Sequence, residues 1–155
     1  MFRGASTVNL DAKGRLGIPS KFREALVEMC AGQMVLTVNA GIPTREPCLW
    51  LFPRDEWETA ERKVADLPSF DPTAQSLKRF LIGHATDCEL DTAGRIRISA
   101  LLQEFASLEK RVVLIGQRNK FEIWDESLWK SKRNEWLKLE TEDRQLPIEL
   151  ESLSL

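Results

Sequence analysis

Two stretches of this chain set an acid, a glycine and an arginine at the same intervals: Leu10-Asp11-Ala12-Lys13-Gly14-Arg15-Leu16-Gly17-Ile18 and, 80 residues on, Leu90-Asp91-Thr92-Ala93-Gly94-Arg95-Ile96-Arg97-Ile98. The chemistry such a set can do is electrostatic recognition. An arginine presents a planar fork that matches the two acceptors on a guanine edge, and a lysine is a point charge suited to a phosphate. One bidentate arginine contact is worth about 1–3 kcal/mol of base discrimination. Arg15 with Lys13, and Arg95 with Arg97, are therefore candidates for an anionic, base-bearing ligand. The same spacing has a second use: Asp11 can pair with Arg15 across the turn and simply close it, as Asp91 can with Arg95. Spacing alone leaves both readings open. Asp11, Gly14, Asp91 and Gly94 are assigned to positioning the turns, because Asp bonds backbone amides ahead of it and Gly takes positive φ.

Other chemistry finds little support. The chain has one histidine, His84, and shows no nucleophile–base constellation. A hydrolase or decarboxylase on a small barrel is thereby disfavoured. Cys30, Cys48 and Cys88 are scattered without a Cys-x-x-Cys pair, so no zinc set is expected, and no catalytic residue, cofactor or small-molecule substrate either. No run of 18 apolar residues and no basic segment followed by an apolar one occurs, so neither a membrane span nor export is expected. A cytoplasmic protein is the expectation.

A net charge of −2 argues against a nucleic-acid partner, since domains that bind DNA are ordinarily basic. Its distribution argues the other way. Met1 to Arg23 holds five basic residues, Arg3, Lys13, Arg15, Lys21 and Arg23, against the single acid Asp11, whereas Phe121 to Leu155 carries a net −4. One end can face an anion while the other keeps the molecule soluble. Arg3 belongs to that basic end and is a candidate phosphate contact, or a solvated arginine. Lys21 and Arg23 fall in the first turn of a predicted helix, where positive charge is locally unfavourable. They either serve an anion or face water.

These residues need a scaffold, and the pattern supplies one twice. Thr7 to Leu10 alternates polar and apolar, Asp11 to Gly14 makes a turn, and Arg15 to Ile18 leaves as the partner strand with Leu16 and Ile18 on one face. In the second copy Ile96 and Ile98 point inward, Arg95 and Arg97 outward. Helices follow, with Ser20 and Ser99 as candidate N-caps and apolar stripes at Phe22, Leu26, Met29 and at Leu101, Phe105, Leu108. Strands are predicted at 34–38 and 48–52, and again at 111–115 and 121–124. Asp55 opens a capping box before Trp57, Val64 and Leu67; Asp125 opens a helix with Trp129, Trp136 and Leu139 along one face.

Leu51 to Trp57 answers Ile123 to Trp129 at a spacing of 72, so the first copy carries about eight extra residues, placed in the Pro- and Gly-bearing stretch 39–47. A repeat seen only twice at this period is one unit duplicated and packed on itself, not a solenoid. The division predicted is a first repeat with its helix over 1–67, a linker and connecting helix over 68–82, a second repeat over 83–140 and a mobile tail over 141–155.

The opening Met1-Phe2-Arg3-Gly4, the two Leu-Asp-x-x-Gly-Arg segments, the Gly83-His84-Ala85 lead-in and Asn119-Lys120-Phe121-Glu122-Ile123-Trp124 together resemble the MraZ family, from residue 1 to about 140. The resemblance implies an α+β, mainly β fold of duplicated AbrB-like (SpoVT-AbrB) swapped-hairpin barrel units with flanking helices. It further implies a cytoplasmic, nucleoid-associated, homo-oligomeric ring that binds repeated G-rich boxes in double-stranded promoter DNA, usually repressing its own operon in the division and cell-wall gene cluster. The family's DNA-contacting signature falls on Asp11, Lys13 and Arg15, and on Asp91 and Arg95. One departure stands out: Ala93 replaces the lysine of the first copy, which puts equal contributions from the two copies in question, although Arg97 faces outward where the first copy has Gly17.

Several subunits on adjacent boxes would let an acidic chain bind DNA strongly, because each later contact benefits from high effective concentration. The tryptophans are assigned to core and subunit interface, since the apolar helix faces after Asp55 and Asp125 exceed what so small a double unit needs for its own core and part of that surface is expected to meet neighbouring subunits. The alternative function is a ring-forming protein-interaction module whose arginines bind acidic partners without sequence-specific DNA binding.

Overall fold

The computed structural model describes residues 1–41, 46–139 and 147–153. Eight strands form two sheets: β1 (Phe2–Asn9), β2 (Arg15–Gly17), β3 (Gln33–Val38), β4 (Leu49–Pro53), β5 (Thr86–Glu89), β6 (Arg95–Arg97), β7 (Arg111–Arg118) and β8 (Phe121–Asp125). Among the described residues the helices are α1 (Ser20–Cys30), α2 (Arg54–Ala65), α3 (Pro72–Leu77), α4 (Ala100–Phe105), α5 (Glu126–Leu139) and α6 (Ile148–Glu151). The predicted connecting helix is α3 followed by a π-helical turn over Lys78–Ile82.

The strand order of the larger sheet, β1-β7-β8-β4-β3-β5, with β2 and β6 forming a separate two-stranded ribbon, exposes how the copies are combined. Exchanging each strand for its equivalent in the other copy returns the same order read backwards. A pseudo-twofold axis therefore passes between β4 and β8 and between β2 and β6. Each copy gives its first strand to the other: β1 pairs antiparallel with β7 and β5 with β3. This overturns the local hairpin expected from Thr7 to Ile18. Only a single bridge, Leu10 to Leu16, joins the two arms of the turn, and β2 pairs with β6 instead. The apolar alternation was satisfied across the axis, where β1 gains an eight-residue ladder with β7 that a three-residue β2 has no length to provide.

The main core is built on the axis from both copies. Leu16, Ile18, Leu26 and Leu36 meet Ile96, Ile98, Leu102 and Leu114, all essentially inaccessible. Phe2, Phe22 and Phe121 stack at ring centroid distances of 4.3–5.9 Å and fix the N-terminal strand to α1. A second cluster seats α2 through Trp57 on Phe52 and Val35. A third seats α5, where Trp124, Trp129 and Trp136 contact one another at 5.7–5.8 Å. The tryptophans of α5 thus pack within the chain.

Several local expectations are corrected. Leu101 is 63% exposed and Leu102 is the core residue, because α4 is a single short helix begun at Ala100 and turns position 102 inward. Ser99 does cap α4, accepting the Leu102 amide, but Ser20 lies inside α1 after Pro19 and makes no cap. Asp55 likewise falls within the first turn of α2, which starts directly after Pro53 without a side-chain cap. Asp125 acts as foreseen, accepting the Leu128 amide at 3.3 Å. Residues 42–45 of the inserted stretch, and 140–146 and 154–155 of the expected mobile tail, lie outside the described residues, while Ile148–Glu151 within that tail is a turn of helix.

Candidate nucleic-acid interface

The two Asp-x-x-x-Arg turns have the same geometry, residue by residue. In the first, Asp11 Oδ1 accepts the amides of Lys13 and Arg15, both at 2.9 Å, and Asp11 Oδ2 accepts Arg15 Nε at 2.8 Å. In the second, Asp91 Oδ1 accepts the amides of Ala93 and Arg95 at 2.9 and 2.8 Å, and Oδ2 accepts Arg95 Nε at 3.3 Å. The amides donated by Arg15 and Arg95 hold the two carboxyls below the usual carboxylate range, with the guanidinium bonds and the amides of residues 13 and 93 acting in the same direction. The turn-closing reading of this spacing is realised in both copies. The aspartate closes the turn and grips its arginine, yet it takes only Nε, and among the described residues the terminal guanidinium nitrogens of Arg15 and Arg95 have no protein partner.

Gly14 and Gly94 sit at φ +77° and +75°, a conformation that side chains rarely adopt. Each glycine also belongs to the other copy. Ile98 N–H donates to the Gly14 carbonyl at 2.8 Å and Ile18 N–H to the Gly94 carbonyl at 2.9 Å, so each turn is anchored by the strand that leaves the opposite one.

The ribbon of β2 and β6 sets the outward arginines against each other. In register, Arg15 faces Arg97, Leu16 faces Ile96 and Gly17 faces Arg95. Leu16 and Ile96 are buried in the axis core, so the period of two turns all three arginines to the opposite, accessible face. Directly opposed like charges destabilise a sheet. Asp11 and Asp91 each engage one of these arginines through Nε, while Arg97 has no ion-pair partner among the described residues. Lys13 is exposed beside it on the first turn.

Arg3 is not part of this group. It lies six residues of extended strand before Asn9, about 20 Å along β1 from the first turn, and lines a separate shallow cavity with Lys21 and Phe22. Two contributors could not be found from the repeat alone. Arg23 of α1 donates from Nε to the Ile18 carbonyl at 2.6 Å, and Gln103 of α4 donates to the Ile98 carbonyl at 2.7 Å. Each lies against the glycine of the opposite turn. Their common offset of five residues from Ile18 and Ile98 was the available signal.

The duplicated Asp-x-x-x-Arg turns on exchanged strands correspond to a known family. The chain matches the family of MraZ protein over residues 1–80 and again over 81–149. It belongs to the MraZ family. It is 48% identical to the transcriptional regulator MraZ of Thioalkalivibrio sulfidiphilus and 51% identical to that of Halorhodospira halophila, with the whole of both chains covered in each case. The transcriptional regulator MraZ of Pasteurella multocida is 54% identical over 83% of this chain and 82% of its own. The architecture, α+β with a mostly antiparallel sheet, is that of the family's tandem AbrB-like units. No helix among the described residues is long and apolar enough to cross a membrane.

Proposed function

We propose that this chain is a DNA-binding transcription regulator that reads double-stranded promoter repeats with the outer face of the β2–β6 ribbon. The observation that carries the reading is the register pair Arg15–Arg97 with Arg95 beside it, three guanidinium groups on one accessible face whose inner side is sealed by Leu16 and Ile96. A two-stranded ribbon is of a size to enter the major groove, where an arginine fork meets the O6 and N7 acceptors of guanine. Lys13 supplies a phosphate contact at the first turn. Asp11 and Asp91 do not touch DNA; they hold the arginine stems so that the terminal nitrogens are presented in one orientation, which lowers the ordering cost of binding. Arg3, remote along β1, contacts backbone only if DNA runs along that strand.

The MraZ relatives, named as transcriptional regulators, support the regulatory role. The finer reading is repression of its own operon in the division and cell-wall gene cluster by a cytoplasmic, nucleoid-associated ring of identical subunits on repeated boxes. The overall charge of −2 favours that assembly, because one subunit with so few outward cations binds weakly and several tethered on adjacent boxes bind strongly. The organisation into repeats over 1–67 and 83–140, a connector over 68–82 and a tail over 141–155 is part of the same proposal.

The test is a titration of the purified protein, with its sedimentation measured in parallel, against the region upstream of its own gene and a shuffled control at stated salt. Tight, salt-dependent preference for the native fragment, lost in a folded Arg15→Ala variant, is the expected result. Equal binding to both fragments, or full affinity in Arg15→Ala, would leave a protein-interaction ring as the better reading.

A further inference from the structure

The second turn lacks the lysine of the first: Ala93 stands where Lys13 does. A cation reaches it from the other copy. An ideal Cβ on Gly94 would collide with Arg23 Nε and lie 2.5 Å from its Cζ, which puts the guanidinium against the backbone of the second turn, at the residue after Ala93. The equivalent position beneath the first turn is occupied by an uncharged group: a Cβ on Gly14 would lie 2.7 Å from Gln103 Nε2. The pairing is therefore crossed. The first turn holds Lys13 over Gln103, and the second holds Ala93 over Arg23.

We propose that Arg23 is the phosphate-binding cation of the second turn, supplied across the pseudo-twofold axis in place of the lysine missing at position 93. The inference rests on the DNA reading above and deepens it, making the two turns electrostatically equivalent although their sequences are not. Arg23 is suited to the task because its Nε is spent on the Ile18 carbonyl at 2.6 Å, while among the described residues its terminal nitrogens bond no protein group. An anchored stem with an unengaged fork is the arrangement seen in Arg15 and Arg95. A purely structural role does not call for the charge, since Gln103 makes the same bond to the Ile98 carbonyl at 2.7 Å without one. Nor does the helix call for it: a cation in the first turn of α1 opposes the helix dipole, and that turn contains no acid.

The substitution Arg23→Gln copies the Gln103 arrangement, so the fold and the bond to Ile18 should persist. Titrated with a double-stranded fragment of the protein's own upstream region, the variant should bind several-fold more weakly, with the salt slope reduced by about one for each second turn engaged. Adding Ala93→Lys should restore both. The reverse exchange at the first turn, Gln103→Arg in a Lys13→Ala background, should likewise recover the binding that Lys13→Ala loses, and it reads the same principle if Arg23→Gln proves unstable. Unchanged affinity and slope in Arg23→Gln, beside a clear loss in Arg15→Ala, would overturn the inference and leave the DNA reading intact. A loss that Ala93→Lys does not repair would also overturn it, by showing that Arg23 acts only on the turn's shape. Full binding by Arg15→Ala would remove the DNA reading, and this inference with it.

Discussion

Arg15 stands directly opposite Arg97 on the exposed side of a ribbon only three residue pairs long. Asp11 grips the first of these arginines, while Arg97 has no acidic partner among the described residues. Opposed like charges in a sheet cost a few tenths to about 1 kcal/mol, a cost the fold carries without any gain to its own packing. Arg97→Thr should accordingly leave stability unchanged or raise it by up to that amount, while weakening binding to promoter DNA. Thermal denaturation alongside a DNA titration checks both signs. A destabilised variant with unaltered DNA affinity would mean that the ribbon face is structural.

Removing Arg15 has a different signature. Its bond to Asp11 is a solvent-screened, partly exposed pair that adds little to stability, whereas a bidentate base contact supplies roughly 1–3 kcal/mol. Arg15→Ala should therefore fold normally and lose specificity. Arg95, opposite Gly17 instead of a second arginine, should cost less binding when changed to Ala. A larger loss at Arg95 on the same fragment would reverse the ranking of the two copies.

The turn glycines make a prediction about stability alone. Gly14→Ala must place a Cβ at φ +77° and within 2.8 Å of the Ile98 carbonyl, whose amide is in turn bonded to Gly14. Left-handed φ costs about 1–2 kcal/mol by itself, and the clash with backbone adds to it. At Gly94 the obstacle is the Arg23 side chain, which can move aside by giving up its bond to the Ile18 carbonyl. Both variants should melt earlier, Gly14→Ala by more, and equal melting shifts would show that the backbone contact carries no extra cost.

Acid should loosen both turns together. The carboxyls of Asp11 and Asp91 are held below the ordinary carboxylate range, first by the amides of Arg15 and Arg95. A carboxylate with a lowered folded pKa contributes stability that is present above its unfolded pKa and is lost as pH falls through the folded one. The contribution is thus complete at neutral pH and declines below about pH 4. The Asp11→Asn, Asp91→Asn double variant should melt earlier at neutral pH and show a shallower fall in melting temperature between pH 5 and 3. An acid limb as steep as that of the unaltered protein would assign acid sensitivity to other groups.

The turns and the outward arginines were legible because their determinants are local: an Asp two residues before the amide it accepts, a Gly where φ is positive, a period of two that sends Leu16 in and Arg15 out. Strand pairing was not, since Thr7 to Asn9 alternates equally well beside β2 or beside β7, and nothing short-range distinguishes them. The exchange of first strands follows from length, which gives β1 eight partners on β7. For the same reason Arg23 read as a first-turn cation of uncertain use, because the turn it touches lies some 70 residues further along the chain. Leu101 was misplaced by one residue through a stripe counted along a helix that ends at Phe105.

The tryptophans of α5 provide the remaining test. Part of the apolar surface of that helix is expected to meet neighbouring subunits, and Trp136 is not free for it: it lies 5.7 Å from both Trp124 and Trp129, and Trp124 is 1% exposed beneath them. The cluster holds α5 to β7 and β8 through Val113 and Trp124. What α5 leaves accessible is instead Leu137, at 56%, and Leu139, at 37%. The two faces give separable outcomes. Trp136→Glu sets a carboxylate against two rings and should cost about 2 kcal/mol, roughly half the penalty of emptying a fully buried tryptophan site, because Trp136 is only half-buried. At about 2–4 °C per kcal/mol for a chain of this size, the melting temperature should fall by some 4–8 °C and tryptophan emission should shift to the red. Leu137→Glu should leave the melting temperature and emission unchanged and reduce the assembly size in sedimentation. Smaller assemblies from Trp136→Glu with an unshifted melting temperature would return that tryptophan to the subunit interface.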